Sequence, residues 1–186
     1  MLPDRSSISP RRSLLVLGLV VCAGLAGCQV RPLYSEAGGT RAKLTSVGFA
    51  DAKNRVEQVV RNELIFLASG GAGEPLNPAY DVTLNVSSTS SNVLDDDGLA
   101  EAGIPVPGRV QVTGAYTVTR TSDGQVLKRG EHSSVSLIDV SRQSFAKVRA
   151  IRDAENRAAR ELAEFIRADI AIVLAKEPPQ QPTWQK

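Results

Sequence analysis

The sequence predicts an α+β domain: two helices packed on one face of a small, largely antiparallel four-stranded sheet, in the order β-α-β-β-β-α. Three observations predict it. Residues 80–88 and 110–120 alternate apolar and polar side chains, the period of a half-buried strand. Residues 51–68 and 141–175 instead place apolar side chains three and four apart, the period of a helix lying on a core. Between 120 and 126 stands Ser122-Asp123-Gly124, a turn signal that folds two consecutive strands into a hairpin.

The first 27 residues carry none of this pattern. Arg5, Arg11 and Arg12 precede a charge-free run over 14–25, and Leu25-Ala26-Gly27 leads directly into Cys28. A basic start, an apolar stretch too short to span a bilayer and a small-residue cleavage site make a leader peptide over 1–27. Cys28 directly after Leu-Ala-Gly matches the lipobox of bacterial lipoproteins. That resemblance implies a diacylglyceryl group on the Cys28 thiol and cleavage before it, so that lipid anchors the mature chain to a membrane. Gln29, rather than aspartate, follows the cysteine, which favours the outer membrane by analogy with enterobacterial sorting. Pro32, Gly38 and Gly39 break any period over 28–43, which reads as a tether.

The domain is expected over 44–175. Thr45, Val47 and Phe49 alternate in a short strand over 44–50. Asp51 is the expected cap of the helix that follows, in which Val56, Val59, Val60, Leu64 and Leu67 form one stripe until Ser69-Gly70-Gly71 ends it. Tyr80, Val82, Leu84 and Val86 face inward from the next strand, and Val110, Val112, Tyr116 and Val118 from the one after. The return strand over 126–140 alternates poorly, with Lys128, Gly130, His132 and Ser134 on one face, which signals a bulge or a sheet edge. Phe145, Val148, Ile151, Ala154, Ala158, Leu162, Phe165, Ile166, Ile170 and Val173 line the long final helix. Pro178 and Pro179 stop it, leaving a disordered tail over 176–186.

Composition narrows the function. The chain has 22 basic and 20 acidic residues. The leader holds Arg5, Arg11 and Arg12 against Asp4, so the mature part is formally neutral and nothing points to nucleic acid. Both cysteines are accounted for, Cys22 in the leader and Cys28 under lipid, which leaves no disulfide, thiolate metal site or cysteine nucleophile. His132, the one histidine, has no nucleophile and acid placed around it by the sequence and reads as a solvated or strand-edge residue; no enzymatic activity, metal or cofactor is expected. Asp95, Asp96, Asp97 and Glu101 lack the alternating ligand spacing of a calcium loop and read as an acidic connection between strands. Arg120, Lys128 and Arg129 gather near the hairpin tip, with Arg109 at the other end of its first strand. Guanidinium and ammonium groups in such a group suit the phosphates of a phosphorylated glycolipid, and an ordinary solvated hairpin is the alternative.

The stretch Cys28-Gln29-Val30-Arg31-Pro32-Leu33-Tyr34 resembles the Cys-Gly-Phe-x-Pro-Leu-Tyr start of the lipopolysaccharide-assembly lipoproteins, the LptE family, and the length and element order are similar. The resemblance implies a two-helix, four-stranded domain lodged in the lumen of the outer-membrane β-barrel protein LptD. There it would plug the barrel, assist its assembly and contact lipopolysaccharide, without enzymatic activity. A lipoprotein subunit of a periplasmic lipid-transport complex is the alternative. The loop over 92–108, with Val93, Leu94, Leu99, Ile104 and Val106, is apolar for an exposed segment and is expected to be covered by the barrel.

Overall fold

The computed structural model describes residues 39–92, 106–140 and 143–178. The leader, Cys28 and most of the tether, the greater part of the loop over 92–108 with its acidic run, and the tail from 179 lie outside the described residues. Three helices and four strands follow in the order α1 (Thr40–Leu44), β1 (Val47–Phe49), α2 (Arg55–Ser69), β2 (Tyr80–Asn92), β3 (Val106–Arg120), β4 (Val126–Val140) and α3 (Ser144–Lys176). The sheet runs β1-β2-β3-β4, with β1 parallel to β2 and the other pairs antiparallel. The α+β class, the largely antiparallel four-stranded sheet and the order of its principal elements are as the periodicities require.

Several local expectations change. Leu44 closes a helix instead of opening a strand, and β1 keeps only Val47–Phe49. Thr40 and Leu44 are buried and tie α1 to the core. The cap of α2 is Asn54, not Asp51. The Asn54 Oδ1 accepts from the Glu57 amide at 2.9 Å, whereas the Asp51 side chain is fully exposed. Gly70, at φ 64°, ends α2 where a side chain would be strained. β2 and β3 each run four residues further than their alternation suggests. The outer end of β2, Thr89-Ser90-Ser91-Asn92, is wholly polar and that of β3 holds Pro107 and Gly108, so neither carries a hydrophobic period.

The core lies between one sheet face and the two long helices. Tyr80, Val82, Leu84 and Val86 of β2 and Val110, Val112, Tyr116 and Val118 of β3 are buried against Val56, Val60 and Leu64 of α2 and Leu162, Ile166, Ile170 and Leu174 of α3. Burying each large aliphatic side chain is worth about 1.5–3 kcal/mol. Ala154, Ala158, Ala159 and Ala163 are also fully buried, so α3 approaches its neighbours closely. Gly114 permits the closest approach, since a Cβ there would stand 2.9 Å from Leu162 Cδ2.

β4 is both bulged and an edge strand. Its register against β3 shifts between Val118 and Thr119, and among the described residues it has no neighbour beyond it in the sheet. Lys128, Gly130, His132, Ser134 and Ser136 face inward there, opposite polar groups of α3. Ser134 Oγ donates to Glu161 at 2.6 Å, Arg157 Nε donates to Ser136 Oγ at 3.0 Å, and His132 Nε2 meets Asp169 Oδ2 at 3.0 Å. Arg157 also pairs with Asp153, as its four-residue spacing predicts. These contacts run antiparallel along strand and helix. At about 3.3 Å per strand residue and 1.5 Å per helix residue, the sheet ends level with roughly residue 148 of α3. The first turns of the helix therefore pass beyond it. Phe145 is 89% exposed and Val148 is also exposed, so the apolar stripe of α3 begins later than its sequence suggests. Phe165 is likewise half-exposed, over the polar seam.

The ends of the fold meet. Lys43 Nζ donates to the Leu174 carbonyl at 3.0 Å and to that of Glu177, and so caps the last turn of α3. Arg120, at the end of β3, donates from Nε to Glu177 Oε2 at 3.0 Å. Ala79 joins the same end, donating to the Ser46 carbonyl at 2.9 Å and accepting from Thr121 N at 3.0 Å.

Candidate interaction surface

With both long helices on one side, the other face of the sheet is open among the described residues. Thr83, Asn85, Ser87 and Thr89 project there from β2, and Gln111, Thr113, Ala115 and Thr117 from β3. From β4 come Arg129, Glu131, Ser133, Val135 and Leu137. A shallow, open depression of 590 Å³ crosses this face, lined by Lys53, Thr83, Asn85, Ala115, Thr117, Arg129 and Glu131. It presents hydroxyl, amide and alternating charged groups. Such a lining suits a hydrated partner more than an apolar ligand. Towards the far end the face turns apolar, with Val135 and Leu137 exposed on β4, the latter to 70%.

The four basic candidates do not form one group. Arg129 faces the open depression. Lys128, its neighbour, points to the opposite face, where its ammonium lies 4.0 Å from Asp169. Arg120 is engaged at the turn end of the β3–β4 hairpin by Glu177 and by Asp123 at 2.7 Å; the Glu177 carboxylate, then Asp123, raise its pKa further and fix it as a cation. Arg109 sits on the open face at the far end of β3 and donates to Ser91 Oγ at 3.2 Å. Only Arg129 and Arg109 thus share a face. Alternation in β4 separates adjacent Lys128 from Arg129, a consequence of strand geometry that the count of charges near the hairpin tip passes over. Cys28 lies outside the described residues.

His132 lies on the edge strand, one of the two readings its sequence context offers, with its side chain partly exposed, and it is engaged by two aromatic rings and at Nε2. Its ring stacks on Tyr116, with centroids 6.1 Å apart, and is tilted against Phe165 at 5.9 Å. Both the Tyr116 hydroxyl and the His132 ring hydrogen-bond Asp169. Gly130 makes room for the Tyr116 phenol, because a Cβ there would meet it at 2.5 Å. Burial raises the pKa of Tyr116 well above its ordinary value, and the hydrogen bond to Asp169 and its negative charge add to this. For Asp169, burial acts to raise the pKa. The hydrogen bonds from Tyr116 and His132 and the charge of Lys128 outweigh it and leave the carboxyl below its usual value. Ser134 donates to Glu161, away from His132. The group is a polar lock between sheet and helix. Among the described residues, no cluster of three or more His, Cys, Asp or Glu side chains could hold a metal ion, and no helix is long and apolar enough to cross a membrane.

Glu57 is the functional-looking residue that the apolar stripe of α2 conceals. It is 1% exposed, accepts from the Val86 amide at 3.1 Å and the Lys53 amide at 3.3 Å, and with Asn54 forms a capping pair. Asn54 Nδ2 donates to the Val86 carbonyl at 2.9 Å. Together the two side chains satisfy both backbone groups of Val86 on the edge of β2 that β1 is too short to cover. The Asn-x-x-Glu spacing was the signal for it.

No protein-family model and no curated protein sequence matches the chain. Solved structures do resemble it. A provisionally assigned lipoprotein of Caulobacter crescentus CB15 superposes with a TM-score of 0.59 at 20% identity, covering 75% of this chain and 98% of that one. A minor lipoprotein of Acinetobacter baumannii (TM-score 0.49, 10% identity, 73% and 94% covered) and the rare lipoprotein B of Shewanella oneidensis (0.46, 15%, 68% and 92%) are more distant. The Caulobacter protein shares the fold.

Proposed function

We propose that the chain is an outer-membrane lipoprotein, anchored by lipid on Cys28, that seats inside a β-barrel translocon and serves delivery of lipopolysaccharide to the cell surface. The observation that carries this reading is the open sheet face. It is a broad plane of hydroxyl and amide side chains, with both long helices on its other side, and it matches the wet inner wall of a large barrel. The Cys28-to-Tyr34 start, similar to that of the LptE family, supplies the partner: the barrel protein LptD. The fold shared with a lipoprotein supports lipid anchoring. The protein works here as a structural partner, not as an enzyme. Arg129 and Arg109, on the open face, are the cations best placed for glycolipid phosphates; Lys128 and Arg120 are held by Asp169 and Glu177.

Affinity purification of the lipoprotein in mild detergent tests the reading. A barrel protein is expected in equal amount, through an interface of about 2,000 Å² or more that survives high salt. Radiolabelled palmitate is expected in the wild type and not in Cys28→Ala. Depletion should leave lipopolysaccharide stalled before the surface. Normal surface lipopolysaccharide after depletion, with no barrel recovered, would overturn the reading in favour of a lipid-transport subunit.

A further inference from the structure

The sheet position beside β2 is only half filled. β1 pairs with β2 along 80–82 alone, and Ala50 N adds a last bond to the Val82 carbonyl at 2.9 Å before the chain leaves for α2. Further on, Asn54 and Glu57 take up the carbonyl and the amide of Val86. The backbone groups of a strand point to one edge at every second residue, and the pairing of β2 with β3 runs to Asn92 without a register shift. The amides and carbonyls of Ser88, Ser90 and Asn92 therefore face the same edge as those of Val86, and among the described residues nothing pairs with them there. The opposite edge of the sheet is guarded. β4 carries a register shift and the charges of Lys128, Arg129 and Glu131, and its Leu137 carbonyl accepts from Arg157 Nη2 at 3.1 Å. Residues 88–92 are exposed and have no charge, proline or bulge. They are also held in place, because Ser88 Oγ donates to Glu155 Oε1 at 2.8 Å and Glu155 pairs with Arg55 of α2.

A row of donors and acceptors at the repeat of an extended chain is matched by another extended main chain. We propose that a segment of the barrel partner adds here as a strand, in line with β1, and pairs main chain to main chain with residues 88–92. This edge borders the open face, onto which Ser87 and Thr89 project, so a partner set against that face lies next to it. A second copy of this chain fits less well. Its own 88–92 would bring only short hydroxyl and amide side chains, and too little area for a stable dimer. The pairing rests on the barrel reading given above and names where the chain of the barrel joins the sheet.

The test compares the lipoprotein purified alone with the lipoprotein purified with its barrel, in the same detergent. Amide hydrogen exchange is read at single residues by fragmentation. Exchange at Ser88 and Ser90 is expected to be fast in the free protein and slower by about tenfold or more in the complex. Ser90→Pro removes an amide that faces away from β3 and should melt close to the wild type, yet recover several-fold less barrel. Ser90→Ala, which keeps the amide, should recover as much barrel as the wild type. If Ser90→Pro does not fold, exchange in the wild-type complex decides alone. Slow exchange already present in the free lipoprotein would overturn the pairing, since the edge would then be filled by this chain or by a second copy. A complex whose edge still exchanges fast, or equal losses from Ser90→Pro and Ser90→Ala, would also overturn it and leave the barrel reading standing. Wild type that recovers no barrel overturns that reading, and the pairing with it.

Discussion

Two acidic residues, Glu57 buried and Asp169 partly buried, hold positions where an apolar side chain would fit the helical period as well. Glu57 binds two backbone amides in a site closed to water, and leaving such groups unpaired costs about 1–3 kcal/mol. Glu57→Leu is expected to destabilise the domain by about that amount despite matching the apolar stripe; urea denaturation of the two proteins checks it. Asp169 bears on acid stability. Its folded pKa is lowered, so the stability it contributes is present above the unfolded value of about 3.9 and is lost as the pH falls through the folded value. The difference in urea midpoint between wild type and Asp169→Asn is therefore expected to hold steady from pH 5 down to about pH 4 and to shrink below it. The Asn-x-x-Glu spacing signals only the local cap of α2; the rest of each role comes from a partner far along the chain, Val86 for Glu57, Tyr116 and His132 for Asp169.

At the scale of elements, the strands and helices with one wet and one dry face were legible. β2, the inner half of β3 and α2 obey a single period because water lies on one side and hydrocarbon on the other. β4 was not legible to the same degree. Its inward positions are polar and meet Asp169, Glu161 and Arg157 of α3, so the burial that fixes its register leaves no hydrophobic trace. The open-face assignment has a direct test. Leu162 is fully buried beneath Gly114, so Leu162→Asp places an unpaired carboxylate in the core and is expected to unfold the domain. Thr117→Asp, beside Arg129 on the open face, should leave its melting temperature nearly unchanged. Thermal melts of both that fell together would show the facing to be wrong.

For the whole molecule, the candidate site was legible as a face and not as a set of residues. Alternation alone assigns a polar outer face to β2 and β3, and in the structure none of the described helices covers it. Which of the basic residues share that face depends on the bulge in β4 and on the contacts of Arg120 with Glu177, and both lie beyond any count of charges. Among the described residues, opposite charges are joined within the fold, Arg61 with Glu74, Arg167 with Glu164 and Arg55 with Glu155.

The bond from Lys43 to the last turn of α3 makes the linear order of the elements, in spatial terms, a ring cut at one place. Where the chain is cut should then matter little to the core. A circular permutant that joins Pro178 to Gly39 through a short glycine-serine linker, with new ends between Asn92 and Val106, keeps every element and every strand pairing. Its circular dichroism spectrum is expected to match that of the parent domain, with a small loss of melting temperature. A permutant without a cooperative melt would mean that the order in which the segments emerge, and not their final contacts, decides whether this sheet forms.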